Sequence, residues 1–434
     1  MPLGRAAGPR GGADPPPVGL GWGRRAAGVG RLVEREDVAV DTCVGMGISA
    51  ENGGVESFAE AAGRAALALD ARPDLACAFA APANLERAAE GAAAIHERLW
   101  PKALVGCGAQ GVVGERREVE TGGVTVWAAS FPGAEVVPFR LEARVAHRHD
   151  PEAGGEAAPG GGLVIVGMPD LEGADAVIML ADAHSFPVEP LLTELSERRP
   201  GVPVIGGIAS GGPGPAALLE GREPVAGGAV GAVLRGVDVR PLVSQGARSI
   251  GPEMAITRAE GNVIHELASR PALERLRQAL AGLEPTERAL AGEGLLVGIV
   301  VDPNKPDYDR GDFLIRGLIG ADEESGAVSV GARVRLGQTV RLQVRDPESA
   351  HDDLVSALGR QVAVLGRPPA GALLFTCNGR GSHMFGTPGH DAQAVADAFA
   401  GAPTAGFFCA GEIGPVGDRN YVHGFTATLA VFPR

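Results

Sequence analysis

Aromatic residues are scarce in this chain. Only 4% of its 434 residues are Phe, Trp or Tyr, so a core large enough for two or three domains must rest on Ala, Val, Leu and Ile, within a hydrophobic fraction of 45%. Cysteine is scarce as well. Cys43, Cys77, Cys107, Cys377 and Cys409 are scattered, odd in number and without a Cys-x-x-Cys pair. That pattern argues against a disulfide framework or a zinc site and predicts a reduced, cytoplasmic protein. A basic cluster is missing. The formal charge is −14, from 39 Lys and Arg against 53 Asp and Glu, which argues against broad contact with nucleic acid or an acidic membrane. No apolar run nears the ~20 residues of a membrane span, and none of signal-peptide length follows Arg5 and Arg10. A P-loop is absent, and Gly106–Gly111 does not have the spacing of a dinucleotide fingerprint. No cofactor and no metal are expected.

What is present is glycine, placed with regularity. Residues 1–36 are Gly, Pro, Ala and Arg with a run Asp14-Pro15-Pro16-Pro17, and read as a disordered extension. The folded part starts near Val38. Helical spacing runs over Glu56–Leu69, and then one pattern recurs. Leu75–Ala80 is apolar, Asn84–Leu99 is helical, and Ala103–Gly106 is apolar and ends in glycines up to Gly111. Ala176–Leu180, Val188–Arg198 and Val202–Gly206 repeat it, ending at Gly211. Ala372–Thr376, Asp391–Ala400 and Thr404–Phe408 repeat it again, ending at Gly411. In the first two copies the likeness extends to Gly133-Ala134-Glu135-Val136-Val137-Pro138 and Gly236-Val237-Asp238-Val239-Arg240-Pro241. Residues 70–245 therefore read as an internal duplication.

The fold class that follows is α/β. Mixed sheets are built from repeated strand–helix–strand–glycine-turn units with helices packed on them, in two pseudo-related parts. Residues 150–162 form a Gly/Glu/Ala/Pro loop between the copies. Residues 253–290 read as helical, with Pro271 at a helix start. Leu295–Val301 reads as a buried strand, and Phe313–Ile319 and Val328–Val344 as half-buried antiparallel strands. Glu115-Arg116-Arg117-Glu118 reads as a self-neutralised, solvated turn.

The polar residues worth attention crowd the last copy. Cys377-Asn378-Gly379-Arg380-Gly381 stands at the end of a strand, a common ligand position in α/β units. Arg380 suits a carboxylate or phosphate through a two-pronged contact, with Asn378 and backbone amides adding hydrogen bonds. The plainer reading is a tight Asn-Gly turn with an exposed arginine. Glu412 follows Cys409 and Gly411 in an apolar, Gly-rich stretch and needs a partner if buried. Arg380, Arg419 or a ligand ammonium are the choices, against a solvated loop carboxylate. Asn420 and His423 precede the final strand. His423 has the pKa of a general base, although a lone histidine is commonly just packed. Asp391 suits an N-cap or first-turn position. Cys377 and Cys409 are nucleophile candidates with His383 or His423 nearby, or inert buried thiols. Asp182 and His184 sit in the second copy where Cys377 and Asn378 sit in the third, too few for a metal site.

These residues resemble the FIST family, a sensory module with N-terminal and C-terminal parts. The C-terminal likeness rests on Leu374-Phe375-Thr376-Cys377-Asn378-Gly379-Arg380-Gly381, on His390-Asp391, on Ala405 through Pro415, and on Asn420-Tyr421-Val422-His423-Gly424-Phe425-Thr426. The N-terminal likeness rests on Gly106-Cys107, Gly111, Gly114 and Pro132-Gly133. The resemblance implies an N-terminal domain over 37–250 and a C-terminal domain over 251–434. It implies sensing of a small-molecule ligand, an amino acid in particular, for intracellular signal transduction through a signalling protein partner, without catalysis. The candidate ligand-binding residues are Cys377, Asn378, Gly379, Arg380, Gly381, Cys409, Gly411, Glu412, Asn420 and His423. The alternatives from the residues themselves are a thiol-dependent hydrolase or transferase using Cys377 or Cys409, and a protein-interaction scaffold.

Overall fold

The computed structural model describes residues 19–20, 41–145, 163–212 and 217–434. The expected disordered extension over 1–36 lies outside them, except for Gly19–Leu20, which pairs in parallel with Leu163–Val166. The Gly/Glu/Ala/Pro loop at 150–162 also lies outside.

The chain folds as a mixed α/β protein whose sheets come from one repeated unit. In the first unit Leu75–Ala80 and Ala103–Gly108 are parallel neighbours joined by a helix, Ala88–Leu99. Val124–Ser130 returns antiparallel to Leu75–Ala80, and Cys43–Ser49 lies antiparallel outside it. The second unit repeats the plan with Ala176–Ala181, helix Val188–Arg198, Val204–Ile208, Ala229–Arg235 and the outer strand Glu135–Val145. The third repeats it with Gly371–Cys377, helix His390–Ala398, Thr404–Cys409, Thr426–Phe432 and the outer strand Arg240–Gln245.

Each unit also donates a hairpin to another, and the donations close a ring. The first unit's hairpin, Val112–Gly114 and Arg117–Val119, pairs with Thr404–Cys409 of the third. The third unit's hairpin, Gly411–Val416 and Arg419–His423, pairs with Val204–Ile208 of the second. The second unit's hairpin, Ala217–Glu220 and Glu223–Ala226, pairs with Ala103–Gly108 of the first.

This exchange explains the recurrent glycines. Gly106, Gly206 and Gly406 oppose Ala78, Met179 and Leu374 across the parallel pair. A Cβ at any of them would overlap the carbonyl oxygen of that opposing residue, so only glycine permits the approach. Four residues on, the chains cross. Ser210 N–H donates to the Gly108 carbonyl at 3.2 Å and Ala410 N–H to the Ile208 carbonyl at 2.9 Å. The third link runs through a side chain: the Ser210 hydroxyl accepts from Gln110 N–H at 2.9 Å and donates to the Phe408 carbonyl.

The inner faces of the three sheets share one core, in which Phe79 stacks on Phe407 at 4.8 Å and Trp127 meets Phe432 at 4.9 Å. Phe79, Trp127, Phe131, Phe375, Phe407 and Phe432 all lie in this shared core. One outer helix packs mainly with small residues. Val55–Ala66 turns Phe58, Ala61, Ala62 and Ala65 inward, and Gly45 and Gly47 beneath it leave no room for a side chain. Close helix–sheet approach replaces bulk there, and burial of Phe58 alone contributes ~1.5–3 kcal/mol.

A separate sheet is inserted into the third unit after its outer strand. Its strands are Ala247–Glu260, Val263–Leu267, Arg270–Pro271, Leu295–Val300, Phe313–Ala321, Val328–Val330 and Thr339–Arg345, antiparallel throughout, with helices Ala272–Ala281 and Pro285–Glu293 on its own core. Two expectations are corrected here, and one helix is added. Residues 253–267 are strands, not helix: Met254 and Ile256 are buried while Ala255 is exposed, a period of two, and the chain reverses at Gly261 with φ 60°. Residues 328–344 are two strands parted by a loop. A helix at Pro347–Leu365, which the sequence reading passed over, starts with proline at its first position and ends at Gly366 in the left-handed region, φ 68°. Among the described residues no helix is long and apolar enough to cross a membrane.

Candidate functional site

The strand Gly371–Cys377 ends in a turn closed by Arg380 N–H donating to the Cys377 carbonyl at 2.9 Å, with Asn378 N–H on the Cys409 carbonyl at 2.8 Å. That turn sends the Arg380 side chain inward, where it is 1% exposed. Its Nε and Nη2 donate to the two oxygens of Asp391 at 2.6 and 2.8 Å. Asp391 accepts further hydrogen bonds from Thr376 Oγ1 at 2.7 Å and His390 Nδ1 at 2.9 Å. Burial alone would raise the Asp391 carboxyl, but the Arg380 charge and these hydrogen bonds outweigh it and hold the group well below the usual carboxylate range. The Phe385 ring lies 5.1 Å from the guanidinium carbon and stacks on His390 at 3.5 Å.

The reading of Arg380 as an exposed turn residue is therefore replaced, and so is its pairing with Glu412. Its ion partner is Asp391. Asp391 is in the first turn of His390–Ala398, as expected, but the N-cap is Gly389. Arg419 reaches Glu197 at 3.8 Å, not Glu412.

Two acids from the first unit's hairpin region complete this pole. Glu118 Oε1 accepts from Asp391 N–H at 2.9 Å and Ala392 N–H at 3.0 Å, at a helix N-terminus. Glu120 accepts from Ser382 N–H at 2.7 Å and its hydroxyl at 2.8 Å. The expected solvated turn at 115–118 is corrected at Glu118, which is buried. Burial, then the Asp391 charge, pushes its carboxyl up to about 7. Nothing in the local sequence separates Glu118 from a surface acid, because the amides it meets belong to a helix 273 and 274 residues further along the chain.

Glu412 is fully buried on the donated strand Gly411–Val416, opposite Gly207 on one side and His423 on the other. Its Oε2 accepts from Thr426 Oγ1 at 2.7 Å and Thr426 N–H at 3.1 Å. Burial pushes this carboxyl up to about 8, with the Thr426 hydrogen bonds and the Arg380 charge pulling the other way. Among the described residues Glu412 Oε1 and Arg380 Nη1 have no hydrogen-bond partner, and neither has Asn378 Oδ1. Gly246 packs against Arg380 Nη1, where a Cβ would crowd it.

Burial disfavours ionisation of both candidate thiols, Cys377 and Cys409. Burial, then the Glu412 charge, pushes Cys377 up to about 12, with its sulfur accepting Gly379 N–H at 3.3 Å. Cys409 is fully buried and pushed well above the ordinary thiol value by burial. Gly379 lies against the Phe425 ring, and Gly381, with φ 88°, beside Glu120. Gly411 marks the start of the donated strand.

Asn420 and His423 are placed otherwise. The Asn420 carbonyl accepts Val204 N–H at 2.8 Å, its amide donates to the Val202 carbonyl at 2.9 Å, and its N–H donates to Ser196 Oγ at 2.9 Å. It fastens the hairpin to the second unit. His423 donates from Nε2 to the Gly414 carbonyl at 3.0 Å, and burial lowers it to about 4, so it stays neutral. Its Nδ1 has no partner among the described residues. His184 and Ser185 both bond Asp182, at 3.3 and 2.6 Å. Among the described residues no group of three or more His, Cys, Asp and Glu is disposed to hold a metal ion.

Known proteins agree with the residues that carry the resemblance. The family model described as the FIST N domain matches residues 74–270, and that of the FIST C domain matches 272–415. The chain is 42% identical over 394 residues to Uncharacterized protein Rv0628c of Mycobacterium tuberculosis, covering 90% of this chain and 99% of the relative. It is 41% identical over 395 residues to Uncharacterized protein Mb0898c of Mycobacterium bovis, covering 90% and 98%. The chain belongs to the FIST family, whose domains are sensory modules associated with signal transduction.

Proposed function

We propose that this protein is a cytoplasmic sensor that binds a small polar metabolite, an amino acid in particular, between Arg380 and Glu412, and passes the signal to a protein partner without catalysis. One observation carries the reading. Two buried polar atoms, Arg380 Nη1 and Glu412 Oε1, have no hydrogen-bond partner among the described residues, and the two groups lie within electrostatic reach of each other. Unsatisfied buried groups of this kind call for a ligand or water, since each costs ~1–3 kcal/mol. A ligand carboxylate suits Arg380 Nη1, and an ammonium suits Glu412 Oε1. Because Glu412 holds its proton up to about 8, binding of an ammonium there releases that proton, so affinity rises with pH. The thiol-dependent reading has less support, since Cys377 at about 12 offers no thiolate at neutral pH.

The test is ligand-dependent melting of the purified chain against the amino acids at about pH 6 and about pH 9. The expected result is a stabilising shift, larger at the higher pH, that Glu412→Gln removes. Wild type and Glu412→Gln responding alike to every amino acid would sink the pairing.

A further inference from the structure

A cleft of about 860 Å³ opens where the inserted sheet faces the ring. It is distinct from the Arg380 pole. On the ring side it is lined by Leu192 and Thr193 of helix Val188–Arg198 and by Tyr421 and Val422 of the donated hairpin. On the inserted side it is lined by Leu314 and Arg316 of strand Phe313–Ala321 and by the loop at 331–338. The volume is that of a small-molecule site, and junctions between folding units are where such sites concentrate.

Charge and polarity narrow the occupant. Arg316 is 9% exposed; its guanidinium donates to the Ile315 carbonyl at 3.0 Å and to Glu189 at 2.9 Å. The Glu189 side chain is 52% exposed, so water or a ligand anion competes for that contact. Arg333 and Arg335, on the loop, are exposed, and neither side chain has an ion partner among the described residues. Between them Val334 is buried, and next to them Leu336 is 72% exposed, an apolar side chain at the mouth. The acids of the cleft are Glu189, committed to Arg316, and Glu260. Three arginines against two carboxylates, around an apolar lining, favour a negative group on an apolar body.

We propose that this cleft binds a small organic anion with an apolar body, its acid group held by Arg316, Arg333 and Arg335 and its body laid between Leu192, Val422 and Leu314. A ligand so held ties the inserted sheet to the second and third units and couples their positions.

The experiment uses the full chain and the fluorescent anion 8-anilinonaphthalene-1-sulfonate, with uncharged N-phenyl-1-naphthylamine as its neutral counterpart. Wild type is expected to give saturable anion binding that weakens with added salt. The double substitution Arg333→Ala with Arg335→Ala, both at exposed positions, is expected to weaken the anion tenfold or more and leave the neutral probe unchanged. Thr193→Trp, also exposed, is expected to fill the cleft and abolish binding of both probes. Anion binding at wild-type strength in both variants overturns the proposal, because the probe then sits elsewhere. So does equal weakening of both probes by the arginine substitutions, or the absence of saturable anion binding below on the order of 1 mM. Neither variant touches Arg380 or Glu412, so failure here leaves the amino-acid reading standing.

Discussion

The third unit of the ring and the first two share a backbone and differ in cargo. At the tip of the first inner strand the first unit places Ala81, the second Asp182, and the third Cys377 followed by Asn378 and Arg380. The glycines at 106, 206 and 406 are common to all and are explained by a strand carbonyl that leaves no space. The buried guanidinium, its Asp391 partner and the raised Glu412 belong to the third unit. Features shared by three copies therefore report the fold, and features confined to one copy report the site.

The sharpest way to break this comparison is to remove the ion partner. Asp391→Ala leaves the buried Arg380 charge uncompensated and is expected to cost ~3–5 kcal/mol of stability, measured by urea unfolding. A cost below about 1 kcal/mol would mean that Arg380 is not held as a buried ion.

Next come the shared glycines. Gly206→Ala and Gly406→Ala are each expected to lose ~1–3 kcal/mol, because the added methyl meets backbone rather than a movable side chain. Gly359, in the interior of helix Pro347–Leu365 with open space around it, is the contrast. Gly359→Ala is expected to gain ~0.5–1 kcal/mol. Equal losses at all three positions would remove the steric explanation.

The subtlest effect is in pH. Glu412 has a folded value of about 8 against an ordinary 4.5. Between those values the native state holds the proton and the unfolded chain does not, so this group lowers stability as pH rises from about 4.5 to about 8. Glu118, at about 7, acts in the same direction. His423, at about 4, acts oppositely, with stability lost as pH falls below about 6.5. Glu412→Gln is expected to flatten the decline between about pH 4.5 and about pH 8, by up to ~1.4 kcal/mol for each pH unit of that window. An unchanged slope in melting temperature against pH would show that Glu412 titrates normally.

Much of each unit of the ring is legible in the sequence. The strand–helix–strand–glycine period survives in the sequence because the same steric demand recurs at each copy, as at Gly106 and Gly206. Residues 253–267 were misread because Ala, Met and Ile suit a helix as well as a strand, and pairing with Thr339–Arg345 decided for strand. At the site, the crowding of Cys377, Asn378, Arg380 and Glu412 was visible, but their partners were not. Asp391 is eleven residues from Arg380 and was read as a helix-start acid. Glu118 is 273 residues from the amide it accepts, and no local pattern connects them.

The sequence by itself determined the repeating α/β unit, the glycines each copy requires and the concentration of polar groups in the last one. Backbone sterics and hydrophobic period are local properties, and they leave local marks. The tertiary structure alone decided the cyclic exchange of hairpins, the insertion of a fourth sheet beside the ring, and which acid faces which base. Those depend on strands from distant units being desolvated together, and the energy of a buried charge is set by whatever neighbours the fold brings to it.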